Sequence, residues 1–292
     1  MANGYKRIIK NKNTRLLILK YMRFIPDRIM LKLEYRIKMG KSLNLKNPRT
    51  FNEKLQWLKL HNRKEIHTTM VDKIAVKEYL KGILGESYLT KTYGVWDSFD
   101  KIDFENLPNQ FVLKCNHDSG SIIICKNKAS LDMQNARDIL TRGLTNNAYY
   151  YGREWPYKNV QPRIFAEEFI EDPSNEFLPV YKIFCFNGEP KLIQTIQNDK
   201  QPNETVDYFD IDWNILDIRQ DFPNSTCPFS RPDKLDEMLE ISRKLSVDES
   251  FIRIDFYSVN GKIFFSEFTF FTDSGFGKFY PEKWDTILGS WL

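Results

Sequence analysis

Residues 251–270 read FIRIDFYSVNGKIFFSEFTF, and this stretch decides the prediction of the fold. Two runs of aromatic and β-branched residues flank an Asn-Gly dipeptide, which favours the tight turn of a β-hairpin. Side chains alternate between the two faces of a strand, so Arg253 and Asp255 lie on one face of the first strand. Across the hairpin, Glu267 of the second strand converges with Asp255. The stretch predicts a hairpin with two opposed carboxylates beside an arginine.

This carboxylate pair is a candidate magnesium site. Two carboxylates that face each other repel unless a cation lies between them. Mg²⁺ accepts a few carboxylate oxygens and completes its shell with water and phosphate oxygens, and Arg253 would then face a phosphate or a carboxylate. The alternative is a surface salt bridge between Arg253 and the carboxylates, without a metal.

A second motif is FVLKCNHDSGS, residues 111–121. Lys114 ends an apolar strand, and the small polar loop after it contains Gly120, so the motif can present an ammonium group and backbone N–H groups to phosphates. It lacks the GxxxxGK[ST] pattern of a P-loop. His117 in this loop could also hydrogen-bond phosphate. The alternatives are a plain hairpin with a solvated lysine and, for His117, a structural histidine.

A third motif is IFAEEFIED, residues 164–172. An apolar strand runs into Glu167 and Glu168 and then into Phe169 and Ile170. Such a segment can offer backbone groups and a carboxylate to an adenine amino group beside an apolar slot. Taken alone, the segment is more typical of an ordinary strand end.

The remaining pattern predicts an α+β protein with mostly antiparallel sheets. Helices are expected at 5–39, 51–60, 68–82, 130–147 and 232–247. Pro26 marks a helix start within the first range, and either Asn52 or a capping box of Thr50 and Glu53 caps the second. Strands are expected at 88–96, 110–115, 121–127, 163–170, 180–197 and 206–216.

Charge is unevenly distributed along the 292 residues, whose net charge is +4. Residues 1–60 hold 16 Lys and Arg against three acidic residues, a net charge of +13, which leaves −9 for the rest. We expect a basic helical arm over 1–60 that either contacts an anionic membrane surface or lipid-linked saccharide, or is a solvated face packed on the core. Nucleic-acid binding is not expected, because the body is acidic and contains no known module.

The order of these motifs resembles the ATP-grasp fold: VDKIAV, then FVLKCNHDSGS, AEEFI, the strand pair around FNGEP, and finally RIDFY and GKIFFSEFT. More closely, the chain from about residue 45 to 292 resembles the TupA-like ATP-grasp family, which is named for teichuronopeptide biosynthesis. REWPYKNVQPRIFAEEFIED, YKIFCFNGEPKLI and FYPEKWDTILGSWL carry this closer resemblance.

The resemblance implies two α+β lobes that clasp a nucleotide, preceded by the basic helical arm. The segments expected are 1–60 (arm), 61–105 (N-terminal part), 106–175 (lysine and glycine-loop lobe with the adenine hinge) and 176–292 (C-terminal lobe with the metal site). The implied roles are nucleotide binding for Lys73, Lys114, Ser119, Gly120, Glu167, Glu168, Phe169 and Ile170, metal binding for Asp255, Glu267 and Thr269, and catalysis for Arg253, Lys114 and Lys182.

Thr269 departs from the usual E-x-N ending of the ATP-grasp metal motif, since threonine is a poorer ligand than asparagine. The implied cofactors are ATP and Mg²⁺, and the implied activity is an ATP-dependent carboxylate–amine ligase. The implied substrates are a sugar acid or lipid-linked saccharide of surface polysaccharide biosynthesis and a small amine or amino acid. The implied location of the protein is the cytoplasm or the inner membrane face. A glycosyltransferase of the same pathway, a kinase and a non-catalytic binding module are the alternatives.

Overall fold

The computed structural model describes residues 18–19, 21–172, 178–199 and 201–292. The chain divides into two compact units. The first comprises the described parts of Met1–Arg63 and Pro179–Leu292 together with Tyr149–Trp155, and the second comprises Lys64–Ala148 and the described part of Pro156–Leu178. The prediction of four consecutive segments did not anticipate that 149–155 belongs with the first unit.

Apart from a helix at Lys283–Trp291, which was not predicted, the regular elements follow the predicted order. The α-helices are α1 (Asp27–Met39), α2 (Phe51–His61), α3 (Ile66–Val71), α4 (Ala75–Leu84), α5 (Met133–Leu144), α6 (Leu235–Ser246) and α7 (Lys283–Trp291). The strands are β1 (Thr92–Trp96), β2 (Phe111–Cys115), β3 (Ile122–Cys125), β4 (Ile164–Glu167), β5 (Val180–Phe186), β6 (Glu189–Gln197), β7 (Thr205–Phe209), β8 (Phe251–Val259) and β9 (Lys262–Thr269).

The second unit is built on a four-stranded antiparallel sheet in the order β1-β4-β2-β3. The predicted β2–β3 hairpin is confirmed, and Lys114 pairs with Ile122 next to its loop. Helix α5 packs on β2 and β3. The core contains buried Phe111, Leu113 and Leu140, so the apolar residues of β2 fix one end of the loop that follows Lys114.

The first unit is built on a five-stranded antiparallel sheet in the order β7-β6-β5-β8-β9. Helix α6 packs against β5, β6 and β8. Phe51 of α2 packs on Phe186 and Phe251, with ring centroids 5.7 and 4.9 Å apart. The predicted hairpin around Asn260 and Gly261 is confirmed, and both residues have positive φ.

One predicted helix, 68–82, is wrong as a continuous element. The structure has α3 and α4 instead, separated by 72–74. Asp72 interrupts the helix because its Oδ1 accepts hydrogen bonds from the backbone N–H groups of Ile74 (2.9 Å) and Ala75 (3.3 Å). The backbone N–H of Lys73 turns away to the carbonyl of Asn116 (3.0 Å). The helix also ends later than predicted, at Gly85 with φ +88° rather than at Gly82.

The N-terminal helices agree with the local signals of the sequence. Helix α1 begins at Asp27 directly after Pro26, as predicted. Thr50 and Glu53 form the predicted capping box of α2. The basic arm over 1–60 is not confirmed, because 1–17 and 20 lie outside the described residues and α1 and α2 pack within the first unit.

Candidate functional site

In the second unit, Glu167 is held between two lysines. Lys114 and Glu167 lie on one face of neighbouring strands, with Lys114 Nζ 2.5 Å from Oε1, and Lys77 Nζ lies 2.8 Å from Oε2. The hydroxyl of Thr90 donates a hydrogen bond to Oε2 at 2.8 Å. Burial by itself raises the pKa of Glu167, but the two ammonium groups outweigh it and lower this pKa to about 2.

This cluster carries one more positive than negative charge, which suits a polyphosphate. Burial lowers the pKa of Lys77, and Glu167 opposes that shift. The sequence reasoning did not single out Lys77, because a lysine in an amphipathic helix normally belongs to a solvated face. It assigned Glu167 to adenine, whereas the structure pairs the Glu167 carboxylate with two lysines.

The glycine loop follows β2, and Lys73 contacts it. Lys73 Nζ donates to the carbonyl of Asp118 at 2.9 Å, and the Ser121 hydroxyl donates to Asp118 Oδ2 at 2.6 Å. Ser119 and Gly120 at the tip are exposed, and a Cβ atom at Gly120 would meet no atom within 4 Å. The structure therefore brings the first predicted lysine to the loop.

His117 has a structural position at the base of this loop. It is buried, with Nδ1 3.2 Å from Asn116 Oδ1 and Nε2 3.0 Å from the carbonyl of Asn146. Burial lowers its pKa. The phosphate contact considered for His117 has no support in these contacts.

The predicted adenine hinge directly follows β4. Glu168, Phe169 and Ile170 are half-buried. The backbone N–H of Glu168 donates to the carbonyl of Lys91 at 2.9 Å, which ties the start of the hinge to the segment before β1. Their contact with a nucleotide stays a prediction.

In the first unit, Arg253 and Asp255 form a buried bidentate ion pair. Arg253 Nε lies 2.7 Å from Asp255 Oδ1, and Nη2 lies 2.8 Å from Oδ2. The hydroxyls of Thr269 (3.0 Å) and Thr272 (3.1 Å) accept the remaining hydrogen bonds described for the guanidinium. Burial alone would lower the pKa of Arg253, but Asp255 outweighs it and raises this pKa.

Five polar side chains form one row across the sheet, one from each strand. Register places them opposite one another in the order Tyr208, Gln194, Lys182, Asp255 and Glu267. Lys182 Nζ lies 3.5 Å from Asp255 Oδ2, and Arg253 Nη2 lies 3.7 Å from Glu267 Oε1. The predicted convergence of Asp255 and Glu267 is confirmed, whereas Gln194 and Tyr208 were not anticipated.

Asp255 and Glu267 supply carboxylate oxygens, the ligand type that Mg²⁺ prefers. They are directly opposed in neighbouring strands, a placement that is unfavourable for like charges unless a cation compensates them. In this structure the guanidinium of Arg253 supplies that charge, as the salt-bridge alternative expects, although the pair is buried rather than at the surface. Among the described residues, no group of three or more His, Cys, Asp or Glu is arranged to hold a metal ion. The protein thus offers two carboxylates, and Mg²⁺ commonly takes its remaining ligands from phosphate and water. The Thr269 hydroxyl contacts Arg253.

A chain of hydrogen bonds leads from this row to Asp273. Gln194 Nε2 donates to the Tyr208 hydroxyl at 2.7 Å, and that hydroxyl donates to Gln220 Oε1. Gln220 Nε2 then donates to Asp273 Oδ2 at 3.3 Å. Asp273 is exposed as a residue, but desolvation of its carboxyl group by the surrounding protein raises its pKa. The hydrogen bonds orient this group, which the sequence reasoning missed.

Asp273 belongs to a left-handed turn that α2 holds in place. Asp273, Ser274 and Gly275 have φ of +48°, +54° and +66°, which is strained for the first two. Lys59 Nζ donates to the carbonyl of Ser274 at 2.7 Å, and Gln56 Nε2 donates to that of Gly275 at 2.7 Å. Burial lowers the pKa of Lys59 to about 7.

Residues 53–292 match the profile of the family described as TupA-like ATP-grasp. The chain belongs to this family. The match covers the glycine loop, the hinge, the polar row and the turn of Asp273, so all the predicted site residues lie within it. The resemblance inferred from the motifs is confirmed, and with it the ATP-grasp fold class.

Solved structures similar to this TupA-like protein include two D-alanine–D-alanine ligases. The one from Bacillus anthracis is 15% identical, covering 69% of this chain and 57% of that chain with a TM-score of 0.40. The one from Helicobacter pylori is 16% identical, covering 83% and 69% with a TM-score of 0.42. A RimK domain ATP-grasp protein from Sphaerobacter thermophilus is 11% identical, covering 79% and 70% with a TM-score of 0.41. A search of curated proteins gave no match.

Proposed function

We propose that this protein is an ATP-dependent ligase that joins a carboxylate to an amine. The observation that carries the proposal is the opposed pair Asp255 and Glu267 beside the buried guanidinium of Arg253. A carboxylate pair that can bind Mg²⁺, next to a fixed arginine, is suited to phosphoryl transfer from a nucleotide. Membership of the ATP-grasp family supports the same reading.

In the proposed reaction, a substrate carboxylate attacks the γ-phosphorus of ATP, forming an acyl phosphate and releasing ADP. The ammonium groups of Lys114 and Lys73 bind the phosphates and offset charge that develops during transfer. Ser119 and Gly120 cover the phosphates, and the hinge at 168–170 binds adenine. The exposed loop tip is suited to excluding water from the acyl phosphate.

An amine then attacks the acyl phosphate, and phosphate leaves as the amide forms. Arg253 stabilises the oxyanion of this adduct, and Lys182 contacts the phosphate or the acid. Asp255 and Glu267, with Thr269 as a weaker donor, would hold Mg²⁺, which supplies charge neutralisation at the phosphates when bound. We also propose that Asp273 binds the ammonium group of the amine, because Gln220 orients its carboxyl group and the residue is exposed.

The proposed acid is a sugar acid of surface polysaccharide biosynthesis, free or lipid-linked, and the proposed amine is a small amine or amino acid. This substrate class rests on the family resemblance. We also propose that the enzyme acts in the cytoplasm, without a nucleic-acid partner.

The test is the thermal stability of the protein with Mg·ATP, with a UDP-sugar and without ligand. A ligand at about 100 times its Kd adds about 2.7 kcal/mol of stability. We expect Mg·ATP to raise the melting temperature of the wild type and of Glu240→Gln, an exposed control. Glu267→Gln should lose this shift. A shift with the UDP-sugar and none with Mg·ATP would instead favour a glycosyltransferase.

A further inference from the structure

Helix α1 has one buried and one exposed side. Met30, Leu31, Glu34 and Tyr35 are buried in the first unit. The exposed side repeats a pair of residues every four positions, in which a basic residue precedes an apolar one. The pairs are Arg28-Ile29, Lys32-Leu33 and Arg36-Ile37. Because residues four apart stack along a helix, the exposed side carries a basic stripe next to an apolar stripe.

The apolar stripe is open to solvent. Ile29, Leu33 and Ile37 are 58%, 42% and 46% exposed. Tyr21 and Phe24, which precede the helix, are 72% and 81% exposed. Single exposed apolar residues are common on protein surfaces, but a periodic stripe extended by two aromatic residues marks an interaction surface.

Within α1, no acidic residue lies on the exposed side beside the basic stripe. The acidic residues of α1 are Asp27 and Glu34. Asp27 is paired with Arg63 at 2.6 Å, and Glu34 is 4% exposed and paired with Lys38. A second copy of this surface would meet it with the same charge, so self-association through α1 is disfavoured. The surface instead complements an anionic one.

We propose that the exposed side of α1, together with Tyr21 and Phe24, binds the surface of an anionic lipid membrane. An amphipathic helix of this kind lies in the plane of the interface, with apolar residues in the acyl boundary and cations among the headgroups. Exposed aromatic residues suit the same depth. Within the described ranges of the chain, no helix is long and apolar enough to span a membrane. The proposal is independent of the proposed ligase activity.

The experiment is co-sedimentation of the full chain with vesicles. One set contains phosphatidylcholine alone, and the other an equal mixture of phosphatidylcholine and phosphatidylglycerol. We expect binding to the mixed vesicles only, weakened by salt because surface charges are screened. Equal binding to both sets, or to neither, would overturn the proposal.

Two triple variants distinguish the contributions of the basic stripe and the apolar stripe to vesicle binding. Replacing Arg28, Lys32 and Arg36 by Gln should weaken binding on the order of 100-fold, since each cation near an anionic leaflet adds to the affinity. Replacing the apolar residues by polar ones, I29N/L33N/I37N, should weaken binding to the mixed vesicles roughly tenfold or more. High salt should abolish the binding that remains.

The matched control removes three exposed lysines elsewhere in the chain, K126Q/K244Q/K262Q, with the same change in net charge. It should retain more than half of the wild-type binding. If the control loses as much affinity as the α1 variants, binding depends on total charge and the proposal fails. Thermal melting of every variant, with and without Mg·ATP, verifies folding and reports on the nucleotide site separately. A change of oligomeric state in I29N/L33N/I37N would assign the stripe to a second copy instead.

Discussion

The two units each contain a buried carboxylate held by two cations, but the surrounding charge differs. In the second unit, Glu167 is the carboxylate between Lys77 and Lys114, which leaves an excess of positive charge. In the first unit, Asp255 contacts Arg253 and Lys182, but Glu267 lies opposite it, and Asp273 ends the hydrogen-bond chain from the same row.

This difference assigns separate tasks to similar ion pairs. An excess of ammonium groups attracts polyphosphate, whereas an excess of carboxylates attracts a metal ion or an ammonium group. The cation also differs in kind. Arg253 makes two parallel hydrogen bonds to Asp255 and is rigid, while the flexible stems of Lys77 and Lys114 suit the proposed exchange of Glu167 for phosphate.

The largest expected effect concerns the rigid pair. Arg253→Met removes the bidentate partner of a carboxylate that is 2% exposed and leaves that charge buried. We expect a loss of about 3–5 kcal/mol in the free energy of unfolding, measured with urea. Arg253→Lys should recover part of it. Wild-type stability of Arg253→Met would show that the pair is not the anchor of this site.

The second prediction uses pH to compare the clusters. The pKa of Glu167 is lowered from 4.5 to about 2 in the folded state. The stabilisation from Glu167, on the order of 3 kcal/mol, is therefore present above the unfolded pKa and is lost as pH falls through the folded pKa. We expect the unfolding free energy of Glu167→Gln to fall less steeply than that of the wild type between about pH 4.5 and 2, measured by urea titration at each pH.

Glu240→Gln, at an exposed carboxylate, is the control for this titration and should follow the wild-type curve. If the slopes of Glu167→Gln and the wild type are the same in this window, Glu167 does not form the two-lysine cluster in solution.

The third prediction concerns Lys77 and Lys114, which are proposed to exchange the Glu167 carboxylate for the phosphates of ATP. Lys114→Met should weaken Mg·ATP binding roughly 100-fold, measured by calorimetry, because a charged hydrogen bond to phosphate is lost. Lys77→Met should weaken it roughly tenfold, since Glu167 then retains Lys114 more firmly. The double variant K77M/E167Q should recover most of that loss. Failure to recover would give Lys77 a different role.

The smallest expected effect compares helix caps in the two units. Thr50 caps α2 in the first unit, and Asp132 caps α5 in the second, where it accepts a hydrogen bond from Asn135 N at 2.9 Å. Thr50→Ala and Asp132→Ala should each cost about 1 kcal/mol of unfolding free energy. Because Thr50 begins the helix that holds the Asp273 turn, only Thr50→Ala should also change activity with an amine. A change in both would indicate that stability alone controls activity.

Several features could be predicted because their causes are local. The Asn-Gly turn sets the register in which Asp255 meets Glu267, and the capping box fixes the start of α2. The hairpin of 111–125 likewise carries its own turn, which places Lys114 beside the glycine loop. In each case the interacting groups lie close together in the chain.

Local sequence patterns were enough to predict most helices and strands, the hairpins and the residues of the family motifs. Contacts between distant segments fixed the remaining features, which are the break at Asp72, the pairing of Glu167 with Lys77, the row that includes Gln194 and Tyr208, and the turn held by Lys59. The physical reason is sequence separation. Strands β5 and β8 are neighbours in the sheet, although β6, β7 and α6 lie between them in the chain. Helix α2 contacts a turn more than 200 residues away. The periodicity of one segment does not indicate which distant segment packs against it.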